Sequence, residues 1–240
     1  MIYINHDKKA IFIHIPKNGG SYISETLVKY YGFVSYLGLI NKKRPDHNEM
    51  CKIAKYPKIL TGNKLYDSSF FNKHVGILTY CKTSEYFNKI MNMDEEKWRS
   101  YTKFCFIRHP YDRAFSGFTH INKIMNKQKS YIFSNYINKN PLTVSDIEYG
   151  HIFMSQTKHI IDENGECFVD IIGRFEHLEN DFKTILENIG FTVLKHIPKK
   201  TNVSNEKDLT TLSMSINDMR TLNKLFNDDF TNFHYKSPLK

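Results

Sequence analysis

Residues 10–15, AIFIHI, are apolar at every position but His14, and the run stops at Pro16 in a turn, PKNGGS, that leads straight into a helical pattern. A strand without polar alternation must be covered on both faces, as an interior strand of a parallel sheet is. Residues 21–31 then place Ile23, Leu27 and Tyr31 at helical spacing and stop at Gly32. This strand–turn–helix unit limits the fold more than any other feature of the chain.

The pattern recurs. Ile59 to Thr61, closed by Gly62, predicts a second strand, and KFCFIRHP (103–110) predicts a third, ended by Pro110. A helix follows, with Tyr111, Ala114, Phe115 and Phe118 on one face. CFVDIIGRF (167–175) predicts a fourth strand; EHLENDFKTILENIG (176–190) predicts a helix that turns Leu178, Phe182, Ile185, Leu186 and Ile189 inward. A last helix runs from Ser215 through Ile216, Met219, Leu222 and Leu225. Strands separated by helices imply an α/β fold, a mostly parallel central sheet flanked by helices, with ligands bound beyond the carboxyl ends of the strands. The 240 residues suit a single domain over 1–240. Residues 126–146 lack a clean period and are expected to form an excursion or lid.

The balance of 34 Lys and Arg against 25 Asp and Glu, a formal charge of +9, directs attention to anionic ligands. The basic residues are dispersed, NKKR (41–44) and PKK (198–200) being the tight groups, and no finger, RNP or basic-zipper pattern accompanies them. Specific nucleic-acid binding is therefore not expected. No apolar run reaches the roughly 18 to 20 residues of a membrane span, and no leader pattern precedes the first strand, so a soluble, cytoplasmic protein is expected. Cys51, Cys81, Cys105 and Cys167 are scattered without metal-ligand spacing, and no metal is expected.

In an α/β fold the turn after the first strand sits at a helix N-terminus, where unpaired N–H groups and the dipole favour an anion. Gly19 and Gly20 permit close approach, Lys17 adds a full charge, and Ser21 is expected to cap the helix and donate a hydrogen bond. Taken alone, PKNGGS suits an ordinary glycine turn equally well. The familiar triphosphate loop places its lysine after the second glycine, whereas Lys17 precedes both. A second turn, FIRHPYDRAFSGF (106–118), ends its strand in Arg108 and carries Ser116 about two turns into the next helix, so both can close on one phosphate. Two anion sites at two strand ends suit a ligand phosphorylated at two separate positions.

HIPKNGGS and RHPYDRAFS resemble the 5′-phosphosulfate loop and the 3′-phosphate motif of sulfotransferases that use 3′-phosphoadenosine 5′-phosphosulfate (PAPS), and most closely the carbohydrate-type group, sulfotransferase family 2. Further blocks in the family's order extend the resemblance over essentially the whole chain: KHVGILTYCKTSEYF (73–87), HIFMSQ (151–156), VDIIGRFEHLENDFKTIL (169–186), IPKKTNVS (197–204) and LFNDDFTNFHY (225–235). Asn18 stands where threonine is usual, His109 where aspartate or asparagine is usual, and Gly117 where a bulkier residue is usual.

The resemblance implies a P-loop-like sulfotransferase fold and transfer of a sulfuryl group from PAPS to an acceptor hydroxyl, with a glycan as the expected acceptor. It implies that Lys17 meets the charge growing on the oxygen between sulfur and the 5′-phosphate. Asn18, Gly19, Gly20, Ser21 and Tyr22 would line the 5′-phosphate, Arg108 and Ser116 would hold the 3′-phosphate, and Lys200 and Asn202 would close over the nucleotide. Among the 11 histidines, His74 falls where the family's blocks carry one and is the expected general base, ahead of Glu49 and Asp67. His14 is expected to pack beneath the phosphate loop, and Arg174, Glu176, Trp98 and Phe104 are expected to be structural. The competing readings are a nucleotide or nucleoside kinase with a similar loop and a non-catalytic nucleotide-binding relative.

Overall fold

The computed structural model describes residues 2–35, 92–124, 133–138, 154–162, 164–194 and 214–239. Among the described residues five strands form one sheet: β1 (Ile2–Asn5), β2 (Ala10–Ile13), β3 (Val34–Ser35), β4 (Thr102–Ile107) and β5 (Ile171–Arg174), in the order β3-β1-β2-β4-β5. β2, β4 and β5 are parallel, Phe12 facing Phe104 and Phe104 facing Ile171. β1 runs antiparallel to both β2 and β3. The sheet is therefore mixed, and the expected mostly parallel arrangement holds only for the half that carries β2, β4 and β5. The difference arises at residues 5–9, where the Asn5 side chain accepts the Lys8 N–H at 2.7 Å and Lys9 adopts a left-handed φ of 50°, folding the chain back on itself. The strand predicted at 59–61 lies outside the described residues.

Both faces of the sheet are covered, as the unbroken apolar run of β2 requires. Ile11, Ile13, Cys105 and Ile107 point to one side, where Trp98, Ile160 and Phe233 pack. Ala10, Phe12, Phe104 and Phe106 point to the other, against Ile23 and Leu27 of α1 (Gly20–Tyr30) and Leu178, Phe182, Ile185 and Leu186 of the helix Leu178–Asn188. Each fully buried side chain of this size contributes roughly 1.5 to 3 kcal/mol before the entropy of ordering is subtracted. Trp98 and Phe104 are thus core residues, as expected.

The remaining α-helices among the described residues are α2 (Glu95–Ser100), α3 (Pro110–Ile124), α4 (Phe133–Asn138), α5 (Leu178–Asn188), α6 (Ile216–Leu225) and α7 (Asn227–Asn232). Their ends follow local chemistry. Asp94 caps α2 by accepting the Lys97 N–H at 2.8 Å, and Pro110 opens α3 where no intrahelical donor is needed. Ser215 and Asp218 form a reciprocal capping box on α6. α3, α6 and α7 enclose a third cluster around Tyr111, Phe118, Leu222, Phe226 and Phe230. Within the span expected to be an excursion, α4 packs on that cluster, the Phe133 ring lying 5.1 Å from Phe115 and 5.2 Å from Phe118. Among the described residues no helix is long and apolar enough to cross a membrane.

Candidate active site

Two turns leave the carboxyl ends of the adjacent parallel strands β2 and β4, and they meet. In the first, Lys17 (φ 70°) and Gly19 (φ 77°) both take left-handed backbone, which glycine adopts freely and lysine only at a cost of the order of 1 kcal/mol. Gly20 lies so close to the His14 ring that a Cβ placed there would stand 2.0 Å from its Cδ2, and that ring is stacked on Phe12. His14 therefore packs beneath the loop, as expected. Gly19, not Ser21, is the N-cap of α1, and no side chain caps it. The expected capping role of Ser21 is corrected: Ser21 lies inside the first turn, exposed, where the N–H groups of an α-helix have no intrahelical partner. Tyr22 turns its ring edge-on to Phe182, toward the core, while its backbone stays in that first turn.

In the second turn Arg108 follows directly on β4. Its Nη1 approaches the Lys17 carbonyl at 3.5 Å, and its guanidinium lies 4.0 Å from the centre of the Phe175 ring. Phe175 also faces Gly19, where an added Cβ would meet its ring at 3.1 Å, so one aromatic side chain packs on both turns. Ser116 is half-buried on α3, in the seventh position from its start.

Arg113, one turn into α3, is 1% exposed and binds the main chain on two sides, Nε donating to the Pro16 carbonyl at 3.0 Å and Nη1 to Met154 at 2.8 Å. Its Nη2 has no partner among the described residues. Burial pulls its charged form down to about 10, against the attraction of Asp229. Burial likewise brings the Lys17 ammonium down to about 8, and repulsion from Arg108 and Arg113 adds to the effect. Three cations held together at this electrostatic cost make a site that an anion relieves.

The polar frame of the site was not visible as a pattern in the sequence. Asn18, 1% exposed, donates from Nδ2 to the Phe106 carbonyl at 2.6 Å and to Gln156 Oε1 at 2.8 Å. Arg113, Gln156, Phe175 and Asp229 all fall inside the blocks that carry the resemblance, and that membership is the signal that could have found them. Arg174 and Glu176 serve structure: Arg174 donates to the Phe233 carbonyl at 2.7 Å, and Glu176 accepts the His109 N–H at 2.6 Å. His74, Lys200, Asn202, Glu49 and Asp67 lie outside the described residues.

A mixed α/β sheet thus brings a lysine and an arginine together where two turns leave adjacent parallel strands. The chain matches the sulfotransferase family over residues 1–236 and belongs to that family, in agreement with the resemblance to sulfotransferase family 2. Its chemistry is accordingly the transfer of sulfuryl groups. No curated protein and no solved structure matches the chain.

Proposed function

We propose that the protein moves a sulfuryl group from PAPS to a hydroxyl of a carbohydrate acceptor by in-line displacement. The observation that carries this reading is the convergence of Lys17 and Arg108, one from each strand-end turn, with Arg113 behind them. Two anion sites so placed suit a nucleotide phosphorylated at both the 3′ and 5′ positions. The tight turn supports the fit: bare glycines at 19 and 20 let the loop close on Phe175 and His14, where a Cβ would clash, and bring the chain into α1 at its N-terminus. The β2–turn–α1 unit is read as a P-loop-like element of a single domain.

In this reading the N–H groups of Asn18, Gly19, Gly20, Ser21 and Tyr22 hold the 5′-phosphate, while Arg108 and Ser116 hold the 3′-phosphate. PAPS supplies the activated sulfuryl group. As the acceptor oxygen bonds to sulfur, the bond from sulfur to the phosphate oxygen breaks, and Lys17 stabilises the negative charge left there. A preorganised donor of this kind contributes roughly 3 to 4 kcal/mol to the transition state, so Lys17→Ala lowers turnover by about 10² to 10³. The acceptor proton goes to a general base, assigned to His74, and Lys200 and Asn202 close over the nucleotide.

Calorimetric titration with 3′-phosphoadenosine 5′-phosphate and with ADP, on wild type and Arg108→Ala, tests the reading without an acceptor. Preference for the 3′-phosphorylated nucleotide, lost in the variant, supports it. Equal or tighter binding of ADP to wild type overturns it in favour of a kinase-like nucleotide site.

A further inference from the structure

Gln156 stands between the two turns and is fully buried. Its Oε1 accepts from Asn18 Nδ2 at 2.8 Å and from the Arg108 N–H at 2.9 Å; its Nε2 donates to the Arg108 carbonyl at 2.8 Å and, at 3.4 Å, to Asp229 Oδ2. All four hydrogen-bonding positions of the amide are occupied. Its orientation is fixed by its partners, because a main-chain N–H only donates and a carbonyl only accepts. The same logic orients Asn18, whose Nδ2 must face the Phe106 carbonyl. One rigid amide thus grips the residue that precedes the Gly19–Gly20 cradle and the residue that carries the second cation.

Asp229, on α7, fixes Gln156 in turn. Fully buried, its carboxylate accepts from the N–H groups of Gln156 at 2.8 Å and Thr157 at 2.9 Å and from the hydroxyls of Ser155 at 2.6 Å and Thr157 at 3.0 Å. Charge-assisted bonds in this number hold residues 155–157 as a platform. Gln156 brings no charge and no reactive group to either anion site. What it can set is the distance between them.

A ligand that engages two sites at once gains from the second contact only when their separation matches its own. We propose that Gln156 is a positioning residue that fixes the spacing of the two anion-binding turns and thereby makes the protein selective for a nucleotide phosphorylated at both ends of its ribose. This inference rests on the reading of the site as one for PAPS.

The test is calorimetric titration of wild type, Gln156→Asn and Gln156→Met with 3′-phosphoadenosine 5′-phosphate, AMP and 3′-AMP. Gln156→Asn shortens the amide by one methylene, and Gln156→Met keeps the side-chain length while removing its bonds to Asn18 and Arg108. The doubly phosphorylated nucleotide is expected to lose roughly tenfold or more in affinity, and each singly phosphorylated one less than about threefold, because each site by itself survives. A uniform loss on all three nucleotides in a folded variant, or an unchanged preference, overturns the role of Gln156 and leaves the donor assignment standing. A wild-type protein with no preference for the doubly phosphorylated nucleotide overturns both. Should Gln156→Asn fail to fold, as circular dichroism would show, the Gln156→Met variant decides the question alone.

Discussion

Arg113 donates from Nε to the carbonyl of Pro16 at 3.0 Å, joining residues 97 positions apart and fastening the turn before Lys17 to helix α3. The same guanidinium holds Met154 at 2.8 Å. Arg113→Met removes the donor to both carbonyls, the one at Pro16 buried, and a loss of about 3 kcal/mol is expected, read as a lowered urea midpoint. Arg113→Lys is expected to recover only part of it, because an ammonium cannot reproduce the planar fork that reaches two carbonyls.

Lys17 gives a pH signature. Held at about 8 by burial and by the charges of Arg108 and Arg113, it is mostly cationic at pH 7 and mostly neutral at pH 9. Affinity for 3′-phosphoadenosine 5′-phosphate should therefore fall as pH rises from 7 to 9 in wild type, with no such inflection in Lys17→Met. The stability of the unliganded protein moves the other way. The unfolded chain keeps this proton up to its ordinary value of 10.5, so between 8 and 10.5 the unfolded state binds more protons and folding gains from this group as pH rises. Denaturation across that range, wild type against Lys17→Met, isolates the contribution: wild type is expected to gain on the variant as pH rises from 8 to 10.5, and a gap that moves the other way overturns the sign.

What the sequence disclosed follows from how far each residue's role is local. β2, β4, α1 and α5 were legible because their periods are complete within a few residues and end in glycine or proline. β1 has four residues like β2 but no glycine or proline to end it, and β3 has only two; the antiparallel return of β1 depends on the turn at Asn5 to Lys9. In the candidate site the charges were legible, since Lys17 and Arg108 stand at strand ends. Gln156 and Asp229 were not: in a segment without period a glutamine or aspartate is expected at the surface, and only packing between distant elements makes these two the buried frame. Nothing local separates Asp229 from the exposed Asp228 beside it.

Gly20 and His14 offer a steric test of the cradle. A methyl at position 20 would meet the His14 ring at 2.0 Å, and stacking of that ring on Phe12 opposes its retreat. Gly20→Ala is expected to destabilise the protein by roughly 1 to 3 kcal/mol, as overpacking does, and to weaken binding of 3′-phosphoadenosine 5′-phosphate. Adding His14→Ala should recover most of the stability, because the two residues are in contact and their effects do not add. Failure of the double variant to recover would show that the cradle needs its bare backbone for a reason other than the histidine.

Asp229 and Asp228 form a paired control. Asp229 accepts from two main-chain N–H groups and two hydroxyls, so Asp229→Asn replaces one acceptor oxygen by an amide that donates, setting donor against donor where nothing else can approach. A loss of about 3 kcal/mol is expected, of the size that follows when buried donors go unmatched. Asp228→Asn, on the exposed side of the same helix, should stay within about 0.5 kcal/mol of wild type. Thermal unfolding of both variants reads the difference directly. Equal midpoints would mean that residues 155–157 are held in place without the carboxylate.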